Sequence, residues 1–512
     1  MAYTVEVKRG SRIYLYRVES YWDKTKKQSR QKRVYLGPKG ALKKPKKNKI
    51  GTNFACKAYG NIFLLENLAK KLNLKKILEA VFPSVKNEIL ALAYHQVMEG
   101  EAFYLFPGWL EAQALEEVKK IYSSDISQLC ELLGKLEKER IEFNRQWIEN
   151  LGSVHGIYYD ITSISSYSSK INFVEWGYNR DKENLPQVNM GVSFCQKRLL
   201  PVHYHLYPGS IVDVSTLKNC IKYLRDYNLK KILMILDRGF CSKKNILEME
   251  ENGLKFIQPL SYSLKKVKNL LKKHKKNLKK PGYAFKYKEE ILGHVKSKIE
   301  FDDKEFEVHI FFNEKAEVEQ RHRFLKDLLE IESKICDKQF NNLKESMQYK
   351  KDMITERYRK YFKYNQRTKQ IEQNSRAVNR YISNQGSFIL ATNTEINRTQ
   401  ILDYYRQRDG VEKIFDISKN EIDTQRLRSH SIENVNGRLF IKFIALILYS
   451  EILKIMRAKE LFKKYSLKEL LRELAKLKLV TLKKEKPFFT ELSKKQKAIL
   501  DAFQLQYNHF SS

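Results

Sequence analysis

Residues 231–240 read KILMILDRGF, an apolar run that ends in the charged pair Asp237 and Arg238. A short continuous apolar run is typical of a strand that is buried on both faces. Residues 155–163, HGIYYDITS, show the same pattern, because a run of apolar residues leads into Asp160. Each run is therefore predicted to be a buried strand that carries one carboxylate.

The segments around these two runs predict an α/β core. VNMGVSFC (188–195) and LLPVHYHLYPG (199–209) read as two strands between them, and KFIQPL (255–260) reads as a fifth. The amphipathic stretch VSTLKNCIKYLRDYN is typical of a helix, and so is SKKNILEMEENG with its Ser start and Gly stop. The predicted order is β-β-β-α-β-α-β.

Composition and texture divide the 512 residues into six predicted segments. They are a basic β-hairpin (1–50), a helical region (51–150), the first part of the core (151–260), an insertion (261–385), the last part of the core (386–455) and a basic helical C-terminal region (456–512). In the insertion, strands follow a lysine run. Residues from about 314 to 380 contain neither Gly nor Pro and are predicted to be helical throughout.

The chain is strongly basic, with 97 Lys and Arg, 60 Asp and Glu, and a net charge of +37. The charge concentrates in residues 1–50 and 265–280, and the second range, KKVKNLLKKHKKNLKK, contains no acidic residue. This excess is larger than solubility needs and indicates a polyanionic partner, of which DNA and RNA are the commonest. The alternative is a genome whose AT-rich codons favour lysine, and a lysine run is often only a solvated face.

Cysteine usage and hydropathy predict a cytoplasmic protein without a membrane partner. The 6 cysteines form no Cys-x-x-Cys pair and no zinc-type spacing to histidines, which is a reduced pattern. The N-terminus has no apolar signal core. The longest apolar stretch, 439–449, contains Lys442 and is too short to span a bilayer, so it is predicted to be a buried helix.

A third acidic residue, Glu412, lies in RTQILDYYRQRDGVEKIFDISKNE (398–421), which reads as a helix. At about 100° per residue, one stripe about 60° wide at the border of the apolar face contains Tyr405, Arg408, Glu412 and Lys419. A Glu flanked by Arg and Lys at such a border suits a metal and phosphate site.

Each of these features has a structural alternative that the residues leave open. An Asp at a strand end often caps the following helix, as Asp237 would do for the helix that begins at Ser242. A charged helical stripe is often an ordinary surface row of ion pairs. The combination of the pieces is specific, whereas each piece alone is not.

The spacing Tyr-x₂-Arg-x₃-Glu-x₆-Lys over residues 405–419 resembles the Tyr-Arg-Glu-Lys signature of DDE-class bacterial transposases. The type in question is the cut-and-paste family named after insertion sequence 4. YYDITS around Asp160 and LDRGF around Asp237 resemble the two other acidic motifs of that family, and PGSIVDVSTL resembles the loop-and-helix motif between them. The resemblance covers about residues 151–455 and the basic β-hairpin start, although 261–385 is only loosely patterned.

The resemblance implies a ribonuclease H-like catalytic core, a five-stranded mixed sheet with helices on both faces, that carries a large insertion. It implies that Asp160, Asp237 and Glu412 converge as the catalytic residues and the metal ligands. Carboxylates are hard ligands that suit two Mg²⁺ or Mn²⁺ ions rather than zinc. Two such ions would cut DNA at transposon ends, and the freed 3′-OH would then attack target DNA.

The resemblance also implies where DNA binds. Arg408 and Lys419 would hold phosphates near the cut, and Tyr405 would contact the terminal backbone or stack on a displaced base. The β-hairpin and residues 54–150 would bind the inverted-repeat ends. Further backbone contacts are expected from Arg238, Lys265, Lys266, Lys272 and Lys273. Because both ends must be held at once, a homodimer in a synaptic complex on double-stranded DNA is expected, in the bacterial cytoplasm.

Three rival functions remain open at this point. The first is a metal-dependent DNA nuclease of the same fold that does not join strands. The second is a non-catalytic DNA-binding protein derived from a transposase, although all three carboxylates are present. The third is an RNA-binding or RNA-processing protein, for which the sequence has no RRM, KH or OB signature.

Overall fold

The computed structural model of the chain describes residues 2–10, 12–39, 54–168, 171–177, 184–211, 213–229, 231–335, 338–421, 426–427, 429, 431–482, 486–507 and 510. Within these ranges the side chains of residues 9, 12, 37, 38, 213, 214, 412, 415–421, 426 and 427 are not described.

Residues 2–39 form a three-stranded antiparallel sheet instead of the predicted two-stranded hairpin. Its strands are β1 (Ala2–Arg9), β2 (Arg12–Asp23) and β3 (Gln28–Pro38). Of these strands, β2 and β3 form the predicted hairpin. The additional strand β1 pairs with β2 after a turn at Gly10, whose φ of 62° is easily adopted by glycine.

The next segment is mainly helical, as predicted, but it begins with a strand. Its elements are β4 (Phe54–Ala58), α1 (Gly60–Lys71), α2 (Leu74–Val81), α3 (Lys86–Met98), α4 (Phe106–Ala112), α5 (Ser123–Lys135) and α6 (Glu137–Leu151), with a 3-10 helix at Phe103–Leu105.

The predicted order of the core is confirmed between residues 156 and 259. Its elements are β5 (Gly156–Ser166), β6 (Gln187–Cys195), β7 (Pro201–Pro208), α7 (Asp213–Asp226), β8 (Leu233–Ile235), α8 (Lys243–Glu251) and β9 (Lys255–Pro259). In space the strands lie in the order β7-β6-β5-β8-β9. β5 runs antiparallel to β6 and parallel to β8, so the sheet is mixed and β5 is its middle strand.

The sheet continues beyond β9 into the predicted insertion. The elements that follow are α9 (Lys265–Leu278), β10 (Ala284–Tyr287), β11 (Glu290–Phe301), β12 (Lys304–Phe312), α10 (Glu314–Ile335), α11 (Leu343–Met353), α12 (Glu356–Arg359), β13 (Phe362–Asn365), β14 (Gln370–Gln373), α13 (Ser375–Ile382) and β15 (Ser387–Thr392). β15 pairs with β9, and β12, β11 and β10 follow in that order. Residues 284–312 are therefore part of the central sheet.

Residues 314–382 pack around a second apolar core of their own. The prediction of helix throughout this stretch is wrong at 362–373, where β13 and β14 pair as a hairpin with Lys369 at a φ of 57° in its turn. Phe362 and Ile371 are buried in the second core. Side-chain burial therefore overrides the local preference, which is common for strands.

This unit leaves and rejoins the sheet at a single place. Phe312 at the end of β12 pairs with Ser387 at the start of β15. The amide of Asn313 donates to the carbonyl of Gly386 over 2.8 Å, which closes the base of the unit.

The rest of the chain supplies two long helices and a second small sheet. Its elements are α14 (Arg398–Glu421), β16 (Arg426–Leu427), α15 (Ile432–Ala458), α16 (Leu467–Leu474), β17 (Lys478–Leu482), β18 (Phe488–Phe489) and α17 (Lys494–Ala502). The predicted C-terminal region is thus not purely helical. β17 pairs with β4, which lies more than four hundred residues earlier, so the C-terminal region packs against the segment that begins at Phe54.

α15 is the central buried helix, and the prediction for residues 439–449 is confirmed because every one of them is buried. α5 crosses α15 at two glycines. A Cβ on Gly437 would lie 1.8 Å from the carbonyl oxygen of Cys130, and a Cβ on Gly134 would lie 1.8 Å from that of Glu433. The described helices include none with the length and hydropathy of a membrane span.

Candidate active site

Parallel pairing of β5 with β8 aligns two of the predicted carboxylates. Tyr158 pairs with Ile235, so Asp160 and Asp237, each two residues further on, come to the same level. Side chains two residues apart in an extended chain share a face of the sheet. Asp160 is half-buried, and the side chain of Asp237 keeps 40% of its surface exposed.

The edge of β5 is open beside Asp160. β8 covers this edge only up to Tyr158, and β16 covers it again from Ser165 onwards. Among the described strands, none pairs with the stretch of edge in between. Asp160 lies in that gap, and its carboxylate accepts a hydrogen bond from the Ile161 amide over 2.8 Å.

Asp237 is fixed by its own backbone contacts. The side-chain amide of Gln258 on β9 donates to the Asp237 carbonyl over 2.9 Å. The Asp237 carboxylate accepts from the Gly239 amide at 3.5 Å at the start of a short 3-10 helix, Arg238–Phe240. It does not cap the helix α8, whose cap is the side chain of Ser242, so that structural alternative is wrong.

Helix α14 is bonded to the strand that carries Asp160. The Tyr158 hydroxyl donates to the Tyr404 carbonyl over 3.0 Å and to the side-chain oxygen of Gln407 over 3.2 Å. Gln196 donates to the same oxygen of Gln407 over 2.8 Å. These contacts hold the helix against the sheet in the turn that leads up to Arg408.

Arg408 of the predicted stripe reaches one of the two carboxylates and packs against Tyr405. Nη1 of Arg408 lies 3.3 Å from Oδ1 of Asp237, and the Arg408 side chain is only 10% exposed. Its guanidinium also lies over the ring of Tyr405, 5.4 Å from the centroid. A surface row of ion pairs along α14 is therefore the wrong description of Arg408, which is buried and pairs with a distant strand end.

Glu412 and Lys419 belong to α14, one turn and three turns beyond Arg408. Their side chains lie outside the described residues, so their convergence with the other carboxylates stays a prediction. Within the side chains that the structure does describe, no group of three His, Cys, Asp or Glu could hold a metal ion.

The other predicted DNA contacts lie on the surface. Arg238 is exposed, and its guanidinium lies 5.2 Å from the ring centroid of Tyr262. The predicted lysines are all exposed on α9, whose apolar residues are buried: Lys265, Lys266, Lys272 and Lys273. Lys266 also donates to the carbonyl of Glu300 over 2.7 Å.

The residues that brace α14 were missed by sequence reasoning. On its first half, Asp403 accepts a hydrogen bond from the Tyr287 hydroxyl at 2.7 Å, and Arg406 pairs with Glu290 at 2.7 Å. These partners come from β10 and β11, so the extended part of the sheet supports the helix that carries Arg408. Among the residues that brace α14, only Tyr158 could have been suspected from the sequence, because it lies two residues before Asp160 in the same predicted strand.

Comparison with known protein families gives one match over part of this region. Residues 156–347 match the family described as the transposase DDE domain, and this match supports a DDE-class transposase. A solved structure, a cryo-EM structure of a piggyBac transposase synaptic complex with hairpin DNA, is 11% identical with a TM-score of 0.35, over 76% of this chain and 70% of that one. Comparison with curated proteins gave no match.

Proposed function

We propose that the chain is a DNA transposase that cleaves DNA at transposon ends and joins the freed ends to target DNA. One observation carries the proposal: Asp160 and Asp237 lie level on neighbouring parallel strands beside a helix whose Arg408 reaches Asp237. The transposase DDE domain match over the same strands supports it.

We further propose the insertion sequence 4 type, with a ribonuclease H-like core. The strand order β7-β6-β5-β8-β9, with antiparallel pairing on one side of β5 and parallel pairing on the other, supports that core. The spacing of Tyr405, Arg408, Glu412 and Lys419 supports the type.

The donor set fits hard divalent cations. Asp160 and Asp237 offer oxygen ligands at an open strand edge, and Glu412 follows Arg408 by one turn on α14. DDE-class transposases generally use divalent metal ions. Bound to these three carboxylates, two Mg²⁺ or Mn²⁺ ions would lower the pKa of an attacking water and stabilise the leaving 3′-oxygen.

The remaining residues position DNA. Arg408 can exchange part of its contact with Asp237 for a phosphate oxygen, since its guanidinium has five N–H donors. Lys419 would hold a second phosphate, and Tyr405 would stack against the terminal nucleotide. Arg238 and the exposed lysines of α9 would hold the backbone further away.

The assembly that follows from this function is a homodimer that holds two inverted-repeat ends, acting in the bacterial cytoplasm. The N-terminal sheet and α1–α6 would bind these ends. The sheet is rich in exposed Lys and Arg, which suits the phosphate backbone.

The test is end cleavage and strand transfer with purified protein, using the DNA that flanks the gene as substrate. We expect Asp160→Ala, Asp237→Ala and Glu412→Gln each to abolish cleavage while end binding survives. Matched controls are Asp352→Ala and Glu319→Gln, which change exposed acids outside the site and should cleave normally.

The same assay distinguishes the rival functions. Cleavage without joining would indicate a nuclease of the same fold. End binding without cleavage by the unaltered protein would indicate a non-catalytic DNA-binding protein, and activity on RNA alone would indicate a ribonuclease. Full cleavage by any one of the three variants would remove that residue from the site.

A further inference from the structure

A cleft of about 770 Å³ lies between the loop that follows Asp237 and the unit of residues 314–382. Arg238 and Tyr262 line one wall, and residues of α10, α12 and α13 line the other. Arg238 is the direct neighbour of Asp237 in the chain, so the cleft begins beside the carboxylates of the proposed site.

The walls of this cleft are strongly basic. Only one acidic side chain, Asp327, takes part in the lining. It accepts a hydrogen bond from the Tyr358 hydroxyl. Six exposed cations line the cleft: Arg238, Lys268, Arg323, Arg357, Lys360 and Arg380. No salt bridge joins any of the six to another residue of the described part, so their charges face the cleft largely uncompensated.

Several of these cations are held over tyrosine rings. The Arg357 guanidinium lies 5.3 Å from the ring centroid of Tyr358, and the Lys360 ammonium lies 5.1 Å from that of Tyr361. A hydrogen bond to Tyr381 raises the pKa of Arg357 above its usual value. The rings thus orient the cations by cation–π attraction. The raised pKa means that Arg357 stays protonated and positively charged.

The size of the cleft selects the form of nucleic acid that it can hold. Pockets of about 300–1,000 Å³ hold small molecules, whereas a duplex has a major groove that is by itself about 12 Å wide. A cleft of this volume suits a few unpaired nucleotides better than a duplex. A basic groove with aromatic side chains is the chemistry that binds unpaired strands, through phosphates and the faces of bases.

We propose that this cleft holds a few nucleotides of single-stranded DNA, the strand that separates from the duplex at the cleavage site. The source of the strand rests on the proposed function. Tyr262 and Tyr381 are half-buried at the walls and present ring surface to bases, while Arg357, Arg380 and Arg323 hold phosphates.

The test measures binding of a fluorescent 12-nucleotide oligo-dT and of a blunt duplex to the full chain in EDTA, over a series of salt concentrations. The cleft variant is Arg357→Glu with Arg380→Glu, and a second cleft variant is Lys268→Glu with Lys360→Glu. The control, Lys315→Glu with Lys344→Glu, makes the same change of charge on exposed residues of the same unit outside the cleft.

We expect both cleft variants to bind the oligonucleotide about tenfold more weakly than the control does. The slope of log K against log salt should fall by about 1.4, since each lost single-strand phosphate contact removes about 0.7. Duplex affinity should change no more than it does in the control. Circular dichroism and thermal melting check that each variant is folded.

Three results would overturn the proposal. One is a loss of oligonucleotide binding in the control equal to that in the cleft variants, and a second is no loss in any of these variants. The third is saturable binding of dTMP that excludes the oligonucleotide, which would assign the cleft to a free nucleotide. Failure of the proposed function would appear separately, as no end cleavage by the unaltered protein.

Discussion

The contact between Arg408 and Asp237 predicts an antagonism between an arginine and the metal ions. Their atoms are 3.3 Å apart, and the Asp237 side chain is 40% exposed. Coulomb attraction at this distance is about 5 kcal/mol at a dielectric constant near 20 and about 1.3 kcal/mol in water. Partial exposure places the net value near the lower end, about 1–2 kcal/mol.

A cation that binds Asp237 must share the carboxylate with Arg408 and therefore loses part of that energy. In the variant Arg408→Gln this competition is absent. We expect Mg²⁺ to bind about 5–30 times more tightly, since 1–2 kcal/mol corresponds to that factor. Cleavage should nevertheless fall, because a phosphate contact is lost, so metal affinity and activity move in opposite directions.

The assay is thermal unfolding in EDTA and across an Mg²⁺ titration, in which the metal-dependent rise in Tm reports affinity. The matched control is Arg406→Gln on the same helix. This change removes the ion pair between Arg406 and Glu290 of β11. Arg406→Gln should have a lower Tm than the unaltered protein, and Mg²⁺ should raise its Tm by the same amount as in the unaltered protein. Equal Mg²⁺ dependence of Arg408→Gln and the control would refute the idea that arginine and metal share Asp237.

Three further predictions concern other parts of the molecule. Lys419→Ala should weaken end binding or cleavage and leave metal affinity nearly unchanged; an unaltered cleavage rate would return Lys419 to a plain surface residue. Gly437→Ala should lower the free energy of unfolding by about 1–3 kcal/mol, because α5 must move away from α15; denaturant titration checks this against Gly108→Ala, whose Cβ would meet nothing within 4 Å. Burial lowers the pKa of His203 to about 3 and of His294 to about 4. As the pH falls, these histidines therefore take up protons in the unfolded chain before they do so in the folded protein. The free energy of unfolding should have its full value above about pH 6.5 and decrease steadily towards pH 4. A free energy of unfolding from urea titrations that stayed constant over this range would contradict the buried neutral state of the histidines.

Local pattern was enough to predict the centre of the fold. The apolar runs that lead into Asp160 and Asp237 could be predicted as strands because short continuous apolar runs are typical of strands buried on both faces. The stripe on α14 correctly grouped Tyr405 with Arg408, because residues three apart on a helix are neighbours.

Contacts between distant segments could not be predicted in the same way. The hydrogen bonds from Tyr158 and Gln258 depend on how α14 and β9 pack, which no local period encodes. The hairpin at 362–373 follows from burial of Phe362 in the second core, and the helical composition of its neighbours hid it. β17 and its partner β4 lie more than four hundred residues apart, so no local pattern could have paired them.

The single attachment of residues 314–382 has a consequence for how this architecture can vary. Because Phe312 and Ser387 already face each other across two paired strands, a tight turn of a few residues could replace everything between them. Modules of different size and shape could be exchanged at that hairpin tip while the carboxylate-bearing strands keep their register. Substrate handling and catalysis would then be free to diverge independently along the lineage.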